Sequence, residues 1–283
     1  MLNSKIIQIT SNLQLKDMLY DDVRKGYINS EHWFSNPSLW YQLTAYSNPY
    51  FTIYSELVLL VENKLKINKY LKDKTMVFYG LGTGDTELVL VNNVLKEKKK
   101  VDIIGIDVQK QFIDGFVQSL HNLDLENKKY EINFLGIAGL FQDVKPEYIK
   151  VTNKPKVHIM LGNTIGNFKE NKIFNIFDRL ISKGDFLIIG FQIDKNIQTI
   201  LQRFSKNKIF NEFVRKSIPK CELLEWKYNK EDSQIEAWSK NILVFHSKKI
   251  NPKDMIKRLD RFDFKNLFSV QDNNSCVQGF VKK

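Results

Sequence analysis

The chain has 283 residues, 43% of them hydrophobic and 27% charged, enough for one large core or a core with a smaller lobe. No apolar run reaches the roughly 20 residues of a membrane span, and two cysteines, Cys221 and Cys276, do not make a disulfide framework. The net charge of +11 raises nucleic acid as a partner, but the lysines are spread widely and the densest run, Lys96 to Lys100, falls where a solvated turn is expected.

Met1 to Lys5 lead into mixed polar sequence without a signal-peptide core, so a cytoplasmic protein is expected. Residues 1–70 read as mostly helical. Trp33, Phe34, Trp40, Tyr41, Tyr46, Tyr50, Phe51 and Tyr54 crowd this stretch, as core packing or as an aromatic lid over a ligand. Residues 71–195 alternate strand and helix: strands near 76–80, 101–107, 131–135, 157–162 and 185–191, helices near 85–98, 109–121, 146–151 and 168–182. That alternation predicts an α/β, Rossmann-like parallel sheet with its ligand at the carboxyl edge. In the third part, 196–283, Ile197 to Phe213 reads as helix, and Cys221–Tyr228 and Gln234–Ser247 as an antiparallel hairpin. A short helix and one or two strands follow over 252–283, completing the sheet and a smaller substrate-binding lobe. His32, His121, His158 and His246 lack ligand spacing, so no metal site is indicated.

The sharpest motif is Gly80-Leu81-Gly82-Thr83-Gly84 at the end of the first apolar run of the middle part. Bare backbone there permits a tight strand-to-helix turn and close approach of a ligand. Asp107 closes the next run, 23 residues beyond Gly84, where a carboxylate can accept both hydroxyls of a ribose. Asp85 and Glu87 follow the glycines. Acids at a helix start oppose a pyrophosphate and tolerate a cation. S-adenosylmethionine, with a sulfonium, an ammonium and no phosphate, is therefore the expected cofactor rather than NAD. Tyr79, directly before Gly80, replaces the acid usual in class I methyltransferases.

A second constellation, Gly162-Asn163-Thr164-Ile165-Gly166-Asn167-Phe168, stands at the end of the fourth expected strand. Amides there suit an amine or a carboxylate; an Asx-type turn with Asn167 capping the next helix is the structural alternative. The segment closely resembles the L-G-S-T-I-G-N-F motif of the histidine Nα-methyltransferase family of ergothioneine biosynthesis. Ser38-Leu39-Trp40, Asn48 to Glu56, the glycine turn and Tyr228 to Ala237 resemble other pieces of that family, in order, over about residues 30–250. The resemblance implies a class I methyltransferase fold and S-adenosylmethionine held by Gly80, Gly82, Gly84 and Asp107, with Gly139 and Leu140 beside the adenine. It also implies that Asn167 holds the substrate amine with Tyr50 or Phe51, and Asn163 is a further orienting candidate. Tyr54 replaces the family's Arg, Ala138-Gly139-Leu140 replaces its Gly-Asp-Phe unless Gln142 or Asp143 supplies the acid, and its imidazole-reading Glu-x-Ser segment finds no clear match. These departures predict an acceptor other than histidine, an amino acid or related amine. The alternatives are an RNA or protein methyltransferase, or an inactive cofactor-binding partner subunit. A small-molecule amine is the expected partner and no membrane; nucleic acid and a homo-oligomer stay open.

Overall fold

The five apolar runs of the middle part become the parallel heart of an eight-stranded sheet in a computed structural model that describes residues 1–45, 51–127, 130–216, 218, 221 and 223–283. Its strands are β1 (Leu2–Gln8), β2 (Thr75–Tyr79), β3 (Lys100–Asp107), β4 (Glu131–Ala138), β5 (Lys156–Met160), β6 (Phe186–Gln192), β10 (Phe264–Gln271) and β11 (Ser275–Lys282). A separate three-stranded sheet holds β7 (Glu225–Asn229), β8 (Gln234–Ser239) and β9 (Ile242–Lys248).

The large sheet runs β1-β4-β3-β2-β5-β6-β11-β10. Neighbours from β1 to β6 are parallel, and β11 and β10 add antiparallel. All five residues of β2 are buried, as befits a strand covered on both faces; each large apolar side chain there is worth about 1.5–3 kcal/mol. After β2 the chain builds outward through β3 and β4, then returns to place β5 and β6 on the other side. The carboxyl ends of β2 and β5 therefore flank the crevice where such sheets bind ligands.

Helices α1 (Asn12–Lys25), α2 (Pro37–Ala45), α3 (Phe51–Glu62) and α4 (Lys64–Leu71) precede β2, with a 3₁₀ turn at Ser30–Ser35. The crossovers are α5 (Asp85–Lys98), α6 (Lys110–Asn127), the single turn α7 (Pro146–Ile149) and α8 (Glu170–Leu180). Helices α9 (Ile197–Lys206) and α10 (Lys208–Lys216) follow β6, and α11 (Pro252–Asp260) precedes β10. No described helix is long and apolar enough to cross a membrane.

Three departures from the sequence reading stand out. Leu2–Gln8, expected within a helical region, is an edge strand paired only with β4, from Leu2 against Ile132 to Gln8 against Ala138. Only Leu2, Ile6 and Ile7 are apolar in it, too few to show a period. The hairpin is three strands, because Lys240 turns the chain back at φ 54° and splits Gln234–Ser247 into β8 and β9. The helical run Ile197 to Phe213 is two helices, broken at Asn207, whose side chain accepts from the Phe210 N–H at 3.0 Å.

Two apolar clusters fill the faces of the large sheet. A third joins Trp33, Leu39 and Leu43 to Phe204, Phe210 and Phe213 and to Val244 and Phe245 of β9. It packs the aromatic N-terminal stretch on the C-terminal helices and small sheet, above the crevice.

Candidate functional site

The crevice opens into a cleft of about 1050 Å³, counted out to its mouth. Its floor is the glycine turn after β2, with Asp107 at the tip of β3 and Gly139 and Leu140 after β4. No lysine or arginine is among the described residues lining it. A phosphate would meet no cation there, whereas a positively charged ligand would meet carboxyls.

Gly84 starts α5 at φ 78°, and a Cβ on it would lie 2.4 Å from Phe116 of α6. This glycine is required by both backbone and packing, but it stands behind the wall, and Gly80 and Gly82 face the cleft. Asp107 is 5% exposed. Its Oδ2 accepts the Gly82 N–H at 3.3 Å and its Oδ1 the Gln109 N–H at 2.9 Å. Burial pushes its carboxyl up to about 6, against those hydrogen bonds. The two acids after the glycines part company. Asp85 is exposed and accepts from Thr83 Oγ1 at 2.7 Å. Glu87 turns inward, lines the cleft and accepts from Thr86 Oγ1 at 2.8 Å, with burial pushing it up to about 7.

Tyr79, where an acid is usual, faces away from the cleft into the core. Its hydroxyl meets His158 Nδ1 at 2.8 Å and the two rings stack.

Beside the glycine turn, the 3₁₀ turn Thr164–Asn167 follows β5. The structure separates its two asparagines. Asn163 is 1% exposed, and both ends of its amide are occupied: Nδ2 donates to Ser247 Oγ at 3.0 Å and Oδ1 accepts the Gln192 N–H at 2.9 Å. It ties the turn to β9 and β6 and does not line the cleft. Asn167 lines the cleft, half-buried, and its side-chain amide makes no hydrogen bond with the described residues. The helix-capping alternative does not hold for it, since the N-cap of α8 is Lys169.

Sequence reasoning missed the residue that holds this turn from below. Glu56 of α3 is fully buried, and its Oε1 accepts the Gly162 N–H at 2.9 Å. Gly190 on β6 makes room for it, since a Cβ there would lie 2.2 Å from Oε1. Burial pushes the Glu56 carboxyl up to about 8, with Glu87 adding to the effect against the Gly162 hydrogen bond. In the sequence it closes the family-like segment Asn48 to Glu56 and is an acid in an otherwise apolar helical stretch, but neither mark assigned it a role at the turn.

The upper walls are aromatic. Trp33, Phe34 and Trp40 come from the N-terminal stretch, and Phe210, Phe213 and Phe245 arrive from α10 and β9. Phe34 and Trp40 meet edge to face at 5.1 Å, and Trp33 lies 4.4 Å from Phe245. Tyr54 is exposed, and Tyr50 and the Phe51 side chain lie outside the described residues. Gln142 and Asp143, the alternative acids for an adenine, are not on the wall. Asp143 accepts from Thr10 Oγ1 at 2.7 Å, and the same oxygen accepts the Leu140 N–H at 3.0 Å. No group of three or more potential metal ligands occurs among the described residues.

A parallel sheet closed by an antiparallel β11, with a bare glycine turn at its switch point, defines the Rossmann-like class I methyltransferase fold. The profile of a family described as histidine-specific, SAM-dependent methyltransferase matches residues 35–221, and the chain belongs to that family. It is a methyltransferase that uses S-adenosylmethionine. In fold it is similar to the PH0226 protein of Pyrococcus horikoshii OT3, at 14% identity over 87% of this chain and 97% of that one, with a TM-score of 0.52. Magnesium protoporphyrin IX methyltransferase from Synechocystis PCC 6803, solved with bound SAH, aligns at 12% identity over 89% and 97%, with a TM-score of 0.53. The DhpI-SAM-HEP complex aligns at 11% over 93% and 97%, with a TM-score of 0.52. At these identities the likeness is one of fold. No curated protein sequence matches the chain.

Proposed function

We propose that this enzyme N-methylates an amino acid or a related small-molecule amine. The observation that carries this reading is the unengaged amide of Asn167 on the wall of a cleft whose described lining holds carboxyls and no lysine or arginine.

The cofactor fits the floor of the cleft. Asp107 would accept the ribose hydroxyls, Gly80 and Gly82 would leave the backbone open to the methionine part, and Gly139 and Leu140 would flank the adenine. Gly84 would set the turn from behind. Glu87, at about 7, is placed to ionise when a cation enters. Bound S-adenosylmethionine supplies a methyl group already activated on a sulfonium, open to in-line attack by a lone pair. The protein's part is alignment. Asn167 would take the acceptor amine by its amide oxygen, Tyr50 is the proposed companion, and Asn163 would hold the turn that presents Asn167. The aromatic walls would keep water from the reacting pair. An amine loses its proton to water before attack, so no dedicated base is needed.

The family description names histidine. The missing match to an imidazole-reading segment favours another amine, and histidine belongs in any panel. An RNA substrate is disfavoured by the cleft itself, whose described wall offers no cation for a phosphate. Incubation with methyl-labelled cofactor and a panel of amino acids and amines, followed by mass spectrometry, tests the reading. A gain of one labelled methyl group in a panel amine supports it; label entering only RNA or protein refutes it.

A further inference from the structure

The wall of the cleft holds one carboxylate that methyl transfer itself leaves unused. Glu31 lies in the 3₁₀ turn Ser30–Ser35 and is 7% exposed. Its Oε1 pairs with Lys172 Nζ of α8 at 2.6 Å. Its Oε2 is buried without a hydrogen-bond partner, and the residue lines the cleft. A buried carboxylate oxygen left unpaired is costly, and a donor arriving with a ligand would recover that cost. Lys172 itself is not on the wall, so the charged side chains described there are the carboxyls of Glu31, Glu87 and Asp107. Trp33 and Phe34 follow two and three residues after Glu31 in the chain, and they share the wall with Phe168 and Phe245. Aromatic faces beside a carboxylate make a receptor for an organic cation.

We infer that Glu31 is a specificity-determining residue that reads a second, positively charged nitrogen on the acceptor. The preferred substrate is then a dibasic amine: one nitrogen is methylated, and an ammonium or guanidinium at the other end donates to Glu31 Oε2 among the rings. A neutral side group would leave that oxygen unpaired. This rests on the proposed amine N-methylation and adds the chemical class of the acceptor.

The test is a comparison of l-lysine, l-ornithine, l-arginine and putrescine with l-norleucine, l-phenylalanine and l-histidine at pH 8, at saturating cofactor. The dibasic amines are expected to exceed norleucine in kcat/KM by roughly tenfold or more. Glu31→Gln should erase that preference, mainly through KM, and leave the Kd for S-adenosylhomocysteine unchanged. Lys172→Met removes the outer partner but keeps Glu31 on the wall, and should retain the preference. If Glu31→Gln slows all acceptors alike, or Lys172→Met abolishes the preference as fully, Glu31 only braces the fold and the inference falls. If norleucine and lysine are methylated equally by the wild type, the inference falls while amine methylation stands. If cofactor binds and no panel amine gains a methyl group, both fall.

Discussion

Replacing Glu56 by Gln should change the pH dependence of stability in a calculable way. Glu56 is fully buried, and its carboxyl is pushed up from 4.5 to about 8. A carboxyl raised in the folded state stabilises at low pH, and that contribution is lost as pH rises through the folded value. With about 1.4 kcal/mol for each pH unit of difference, ionisation of Glu56 costs the fold about 1.4 kcal/mol between pH 7 and pH 9, and about 4 kcal/mol between pH 5 and pH 9. Gln keeps an oxygen for the Gly162 N–H and has no charge to bury, and the space beside Gly190 already holds a side chain of this size. Urea unfolding of both proteins at pH 5, 7 and 9 is the assay, with ΔG extrapolated to water. Over pH 7 to 9 the change in stability of Glu56→Gln should differ from that of the wild type by about 1.4 kcal/mol in favour of the variant; the slope common to both proteins belongs to other buried groups, among them Glu87, at about 7, and Lys249, whose ammonium is held by burial well below the usual lysine range and which acts in the opposite sense. Identical slopes for the two proteins would refute the assignment of a protonated Glu56 under the Gly162 turn.

Asp107→Asn should weaken S-adenosylhomocysteine binding by roughly 10- to 100-fold in calorimetry, the value of a charge-assisted hydrogen-bond pair. Because the ionised carboxylate is the acceptor and its folded value is about 6, wild-type cofactor affinity should hold above pH 7 and decline as pH falls through 6. Asn167→Ala should cut kcat/KM for the acceptor by roughly 10- to 100-fold and leave cofactor Kd unchanged; equal losses in both would remove Asn167 from its amine-binding role. Gly84→Ala forces a Cβ at φ 78° to 2.4 Å from Phe116, and should destabilise by about 2 kcal/mol or more in urea unfolding.

What the sequence disclosed depended on range. The glycine turn, Asp107 and the βα alternation are local patterns, and each sits where spacing placed it. Asn163 and Asn167 looked equivalent in one motif. Only the fold separates them, because the partners that occupy Asn163, Ser247 and the Gln192 N–H, come from β9 and β6. Tyr79 read as an anomaly of the cofactor site and is a core residue bonded to His158, a contact across neighbouring strands. Glu31 carries no sequence mark of burial, and the apolar stretch around Glu56 does not name its partner; α8 and the Gly162 turn give the two acids their partners. Phe210, Phe213 and Phe245 read as ordinary apolar positions of helix and strand, and the third cluster carries them to the cleft. The edge strand β1 was hidden because its pairing with β4 spans most of the N-terminal half.

Transfer of label from methyl-labelled S-adenosylmethionine, with the product resolved by nuclear magnetic resonance, tests the central claim most directly. The expected result is label bonded to nitrogen of an amino-acid-like amine, reduced roughly 10- to 100-fold in rate by Asn167→Ala. Label on carbon or oxygen, label confined to RNA or protein, or no transfer by protein that binds the cofactor would contradict it.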